Sequence, residues 1–196
     1  MPAQFHASTS RSSDCLRNHF LLAMPSLSEG IFSHSITYIC EHGESGAMGI
    51  VINQPLELTV AEIFDHLEIK TRGDFDDMPV MAGGPVQIDH GFVLHRHASD
   101  NWEASIKVTD DITLTTSRDV LRALANGTGP SEHLIALGYA GWSAGQLEQE
   151  LAENSWLTLP ADSDIIFSTP YHARLGAAAA KLGIDINLIS AQAGHA

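Results

Sequence analysis

Basic residues and cysteine are both scarce in this chain, and each scarcity closes off a class of function. Ten lysines and arginines stand against 24 aspartates and glutamates, a formal net charge of −14 over 196 residues. That balance repels phosphate backbones, and the basic residues are scattered, with only Lys70/Arg72 and Arg118/Arg122 close together. Direct nucleic-acid binding is therefore disfavoured. The two cysteines, Cys15 and Cys40, share neither C-x-x-C spacing nor a metal-finger context. So few cysteines, with no signal-peptide pattern, predict a reducing, cytoplasmic setting. No apolar run approaches the ~18 residues of a bilayer-spanning helix, so no membrane association is expected. No complete cofactor constellation is present either, and no cofactor is expected.

What is there suits a single folded domain. The 44% hydrophobic content over 196 residues is enough to bury a core. Residues 1–18 are rich in serine with Arg11 and Arg17, and read as a disordered N-terminal tail. A transit peptide would share that composition but needs more than two arginines. The domain is expected over 19–196. The central stretch is residues 133–156. Leu134, Ile135, Ala136 and Leu137 form a short apolar run of strand length, and Gly138, Gly141 and Gly145 supply turn chemistry. Ser143 followed by Gln146 then fits a capping box opening a helix with Leu147 and Leu151 on its apolar edge.

Around this stretch, residues 20–24 read as ordered chain. Residues 35–40 alternate as a strand with Ile36, Tyr38 and Cys40 on one face, and residues 47–52 return as the second arm of a hairpin ended by Asn53-Gln-Pro55. Thr59 and Glu62 form a capping box ahead of Val60, Ile63, Phe64 and Leu67, the spacing of a core-facing helix. Residues 79–86, 91–95, 112–115, 156–159 and 165–167 are strand candidates. Ser117 and Gly127 bracket a helix, and Pro170 precedes an alanine-rich one. Helices and strands mix irregularly, so the predicted class is α+β, or irregular α/β, in one domain.

Several patterns carry possible chemistry. Gly141-Trp-Ser-Ala-Gly145 matches the nucleophile-elbow pattern G-x-S-x-G between a predicted strand and helix, with Asp162, Asp164, Asp185, His172 and His195 downstream. A serine hydrolase using Ser143 is the alternative function on that ground; against it, capping already accounts for Ser143. His95 and His97 would share one strand face, but a transition metal needs three or four converging ligands, and surface histidines are the default. Ser33-His-Ser35 precedes a strand, where neighbours alternate faces and would not meet. Cys15 lies in the tail, and Cys40 reads as a small core residue. Asn53, Gly83, Gly84, Trp142 and Gln146 fall at strand ends or a helix start, where such folds place clefts, and form the expected ligand or partner groove.

Three motifs, Met24-Pro-Ser-Leu27, Met48-Gly-Ile-Val-Ile-Asn53 and Gly83-Gly-Pro85 with Gly91-Phe-Val-Leu-His95, resemble the YqgE/AlgH family of bacterial proteins. The stretch 138–150 and the terminal Gly194-His-Ala196 are similar to that family too, and the resemblance covers about residues 20–196. It implies a bifurcated β-sheet, partly curled into a barrel, flanked by helices. It carries over no catalytic residue. Members are described as uncharacterised proteins or, after one member's association with alginate control, as transcriptional regulators. The resulting expectation is a non-enzymatic regulatory or adaptor protein acting through a protein partner or small ligand. A direct DNA-binding regulator follows only from the family label.

Overall fold

The computed structural model describes residues 15–96 and 102–188. In chain order the strands are β1 His19–Ala23, β2 Ile36–Gly43, β3 Gly46–Val51, β4 Pro55–Thr59, β5 Pro79–Ala82, β6 Val86–Arg96, β7 Ser105–Lys107, β8 Ile112–Thr115, β9 His133–Ser143 and β10 Trp156–Pro160. The helices are α1 Val60–His66, α2 Arg118–Asn126, α3 Gln146–Ala152, α4 Ser163–Phe167 and α5 Arg174–Lys181. The strand order is β10-β1-β2-β3-β9-β6-β8-β7, with β5 also pairing β9 and β4 pairing β5. Every pairing is antiparallel except β5 with β9. The sheet curls into a half-barrel, and the class is α+β, as the mixed periodicities predict, with one bifurcated sheet, as the family resemblance implies.

The fork lies on β9. Residues 140–143 pair with β3, while Ala136 and Leu137 pair with β5 and residues 133–137 and Tyr139 pair with β6. The Gly-rich turn expected after Leu137 is therefore strand: Gly138 and Gly141 lie inside β9 because both of its edges are occupied. Sheet pairing overrides local turn chemistry here.

Burial on both faces explains why the central strands lack clean alternation. Phe20, Leu22, Ile36, Tyr38, Cys40, Leu94, Leu134 and Ala136 face one core, closed by Ile165 and Ile166 of α4 and Leu175 and Ala178 of α5. Their neighbours Leu21, Ile39, Ala140 and Trp142 face a second core with Leu147 of α3. Val93 and Ile135 face a third, with Val60 and Phe64 of α1 and Val120, Leu121 and Leu124 of α2. Burial holds the Cys40 thiol well above its ordinary pKa, which keeps it an inert core residue.

Residues 165–167, expected as a strand, form most of α4. Asp162 accepts the Asp164 N–H at 2.9 Å and starts the turn, and Ile165 and Ile166 both face the core. An apolar run of three fits either element, and here the cap decides. The Thr59 capping box is present as expected, with Glu62 N–H donating to Thr59 Oγ1 at 3.3 Å and Thr59 N–H to Glu62 Oε2 at 2.8 Å. Ser117 is the N-cap residue of α2 but makes no capping bond; its hydroxyl donates to Asp119. Gly127 ends that helix at φ +76°, as predicted. Residues 15–18, expected in the tail, pack on the domain: Leu16 is buried, Asn18 N–H donates to Ile39 O at 2.9 Å, and Asn18 Oδ1 accepts the Tyr38 hydroxyl at 2.9 Å.

Candidate functional site

The five residues expected to form one groove do not converge. Asn53, Gly83 and Gly84 sit at the fork. Asn53 Oδ1 accepts the Ile36 N–H at 3.0 Å and its Nδ2 donates to His34 O at 2.9 Å, so the side chain ties the β2 entry to the β3 exit. Gly83 N–H donates to Leu137 O and its carbonyl accepts Val51 N–H, each at 2.8 Å, stitching β9 to β3. A Cβ on Gly83 would stand 2.3 Å from Gly138 O, and one on Gly84 2.0 Å from the Tyr139 carbonyl carbon. These glycines are required for backbone contact, and both are buried.

Trp142 and Gln146 lie elsewhere. Trp142 is five residues along β9 from Leu137, roughly 16 Å at strand rise. It is 6% exposed and packs with Trp156 and Phe32 at ring separations of 6.0 and 6.3 Å. Both indole N–H groups donate to Glu150 Oε2 at 2.8 Å, and Gln146 Nε2 donates to Glu150 Oε1 at 2.9 Å. Trp142 is thus a core residue with a satisfied polar handle.

Ser143 is neither the cap nor the elbow that its spacing suggested. Gly145, at φ +77°, is the N-cap residue of α3, and it makes no side-chain cap bond. Only the return half of the capping box forms: Gln146 Oε1 accepts the Ser143 N–H at 3.0 Å and its hydroxyl at 3.2 Å. The nucleophile elbow calls for a strained turn at the serine. In this loop positive φ falls on Gly145, not on Ser143. Of the downstream acids, Asp162 pairs with Lys181 and Asp164 with Arg96. The geometry supplies no base for Ser143 among the described residues.

Contrary to the expected alternation, Ser33 and His34 do meet. They precede β2 in an irregular turn with His34 at φ +55°, and Ser33 Oγ lies 2.9 Å from His34 Nδ1. His34 is exposed, and no further side chain joins the pair among the described residues. Cys15 is exposed, 3.6 Å from His42 O. The His42 ring is already committed, its Nδ1 accepting Leu16 N–H at 2.9 Å and its Nε2 facing Glu148 at 2.7 Å, so it cannot serve the thiol as a base.

Nor is His95 a surface histidine. It is 2% exposed. Its Nδ1 donates to Arg96 O at 3.0 Å, which leaves Nε2 to accept the Thr115 hydroxyl at 2.8 Å. His97 lies outside the described residues, and among the described residues no three ligand-type side chains gather as a metal site. Across the sheet His95 pairs with His133, whose Nδ1 donates to Pro130 O at 3.1 Å while Nε2 is buried without a partner among the described residues. Burial holds both imidazoles below the ordinary histidine pKa, against the pull of their backbone bonds, and the charge of His95 presses His133 further down. The folded protein therefore binds fewer protons here than the unfolded chain. Its stability should be full above about pH 6.5 and fall as pH drops below it, with a slope of at most about 2.7 kcal/mol per pH unit for two protons. Urea midpoints at pH 7 and pH 5 measure this, and His133→Gln should flatten the slope. An unchanged slope in that variant would remove the histidine pair as the cause.

A cavity of about 870 Å³ lies on the face of α1 and α2. None of the five expected residues lines it. Its apolar floor includes Leu58, Ile63, Leu67 and Leu137, all half-buried at the edge of the third core. Its rim is polar, with Glu62 and His66 from α1, Asp89 and His90 from β6, and Arg118 at the start of α2. Two features of the sheet open it. First, β8 pairs only Val93–Arg96 of β6 and leaves at Thr116 for α2, so the first half of β6 has a strand on one side only. Second, Val86 pairs with Tyr139 and Gly91 with Leu137, so four residues of β6 face one of β9. The resulting bulge carries Gln87 at φ +47°, Ile88 at 68% exposure, Asp89 and His90. The His90 imidazole, 3.2 Å away, holds the Asp89 carboxyl below its ordinary pKa. Bulges of this kind re-aim side chains beside binding sites. Residues 59–67 signalled a helix, but nothing in the sequence signalled the bulge, and Arg118 registered only as half of a basic pair.

The whole chain is similar to proteins of one kind. Residues 20–187 match the family model described as AlgH-like. A UPF0301 protein of Saccharophagus degradans is 58% identical over 181 residues, covering 92% of this chain and 89% of that protein. One from Thioalkalivibrio sulfidiphilus is 56% identical over 179 residues, covering 91% and 96%. The solution structure of the AlgH protein from Pseudomonas aeruginosa superposes with a TM-score of 0.76 at 45% identity over the full length of both chains. A Corynebacterium diphtheriae protein shares the fold at 17% identity and a TM-score of 0.69, covering 89% of this chain and 91% of its own.

Proposed function

This chain belongs to the AlgH-like family, and we propose that it is a non-catalytic regulatory or adaptor protein whose working site is the cavity between α1, α2 and the β6–β8–β9 face. The observation that carries this reading is the cavity itself. About 870 Å³ with an apolar floor and a polar rim falls within the range of ligand sites. The strongest hydrolase pattern, by contrast, has no base for Ser143 among the described residues, outside which His195 lies, and lacks the strained turn there. Capture from a native lysate, followed by native mass spectrometry, tests the reading. The natural chain should retain a species that Ile63→Glu, on the cavity floor, loses, while Glu44→Gln in the β2–β3 hairpin keeps it. Equal retention by both variants would move the function out of the cavity.

Regulation is proposed to run through such a partner or ligand, in the cytoplasm, and not through direct DNA contact. With a net charge of −14, the chain offers no basic stripe to replace phosphate counterions. Binding to random duplex at about 150 mM salt should be weaker than micromolar, since exposed charges are screened beyond ~8 Å there. Fluorescence anisotropy with a labelled duplex measures it, and sub-micromolar binding would overturn the expectation.

A further inference from the structure

The cavity's charge is more specific than its shape. Glu62 and Asp89 both line the rim, but each carboxylate already holds a donor: Glu62 takes Thr59 N–H at 2.8 Å, and Asp89 faces His90 at 3.2 Å. Asp119, beside Arg118 in the chain, accepts Glu103 N–H at 2.8 Å and Val120 N–H at 2.9 Å, with the Ser117 hydroxyl on the same carboxylate. Arg118 differs from all three. It is exposed, lines the cavity, and among the described residues has neither a hydrogen-bond nor an ion-pair partner. Thr116 and Ser117 line the cavity beside it, and its position at the first turn of α2 adds the positive end of the helix dipole. The exposed imidazole of His66 stands on the same rim. Among the rim's formally charged side chains, the one without a partner among the described residues is therefore the Arg118 guanidinium, and it lines the same cavity as the apolar side chains of Leu58, Ile63, Leu67 and Leu137.

We infer that the cavity takes an anionic amphiphile, a molecule with a carboxylate or phosphate-monoester head set against Arg118 and an apolar body on the floor. This rests on the cavity being the working site. Guanidinium binds both head groups through paired N–H donors, so Arg118 suits either. A neutral molecule of the same body would leave the guanidinium without its partner. A cationic one would meet it directly.

The test displaces a neutral fluorescent apolar probe, N-phenyl-1-naphthylamine, with four ligands that share a ten-carbon chain: decanoate, decyl phosphate, decanol and decylammonium. Decanoate or decyl phosphate should compete at least about tenfold better than decanol, the scale of one charge-assisted hydrogen bond, and decylammonium should be the weakest. Whichever anion binds tighter identifies the head group. Arg118→Gln should bring the anions to the level of decanol at an unchanged melting temperature, because the side chain is exposed and unpaired. Equal competition by decanol and the anions, or a preference that survives Arg118→Gln, would overturn the inference. If no amphiphile competes while Ile63→Glu still abolishes capture from lysate, the ligand class falls and the cavity as working site stands. If capture also survives Ile63→Glu, both fall.

Discussion

Replacing Trp142 by alanine should cost about 3–5 kcal/mol, the range for a large aromatic removed from a packed interior. The side chain is 6% exposed and completes an aromatic cluster with Trp156, 6.0 Å away, and Phe32. Its removal empties the centre of the second core and takes one of two indole donors from Glu150 Oε2. Against a total stability of about 5–15 kcal/mol, that loss is a third or more for most values in the range. For a domain of this size it corresponds to a melting point lower by roughly 6–20 °C. Thermal and urea unfolding followed by far-UV dichroism measure it. A nearly unchanged melting point, together with loss of partner capture, would return Trp142 to the role of a groove residue.

Gly138→Ala should be comparably damaging, for a different reason. The residue sits in β9 at φ +75°, opposite the four-residue bulge of β6. A side chain in the left-handed region costs about 1–2 kcal/mol. Here the new methyl would also stand 2.4 Å from Gly84 O and 3.0 Å from Val86 O. Both are backbone atoms of the strand connection and cannot swing aside, so overpacking adds about 1–3 kcal/mol. The expected total is about 2–5 kcal/mol. Gly127→Ala is the control, since its φ is +76° but nothing lies within 4 Å of the added carbon. It should show the conformational cost alone. Equal losses in the two variants, read from urea midpoints, would mean that the close approach at Gly138 does not constrain the fold. If the bulge depends on this glycine, Gly138→Ala should also weaken binding in the cavity.

Both predictions concern residues that the sequence marked as special without saying why. Trp142 stood in a glycine-rich stretch beside a helix start, which suggested a cleft, and Gly138 stood where a turn was expected. Each reading was local. The side-chain run 134–137 shows a strand of four residues, whereas the strand has eleven, His133–Ser143. The extra length comes from β3 pairing with residues 140–143, a contact between segments about ninety residues apart.

The short-range physics of this chain was legible without coordinates. The Thr59–Glu62 capping box, the end of α2 at Gly127 and the β2–β3 hairpin all depend on groups a few residues apart, and all appear where their spacing puts them. The single acidic α+β domain followed from length, composition and the mixture of periodicities, and its forked sheet from the resemblance to the YqgE/AlgH family. Tertiary pairing decided the rest. It put Asn53 and Gly83 at the seam of the fork instead of in a groove, paired His95 with His133 in the sheet interior, and left Ser143 without a base among the described residues. It also opened the cavity, which requires β8 to stop short along β6, β6 to bulge against Gly138, and α1 and α2 to stand over the gap. Strand register and helix placement are set by long-range burial and backbone pairing. Leu58, Ile63 and Arg118 are ordinary residues along the chain, and only that long-range arrangement brings them to one site.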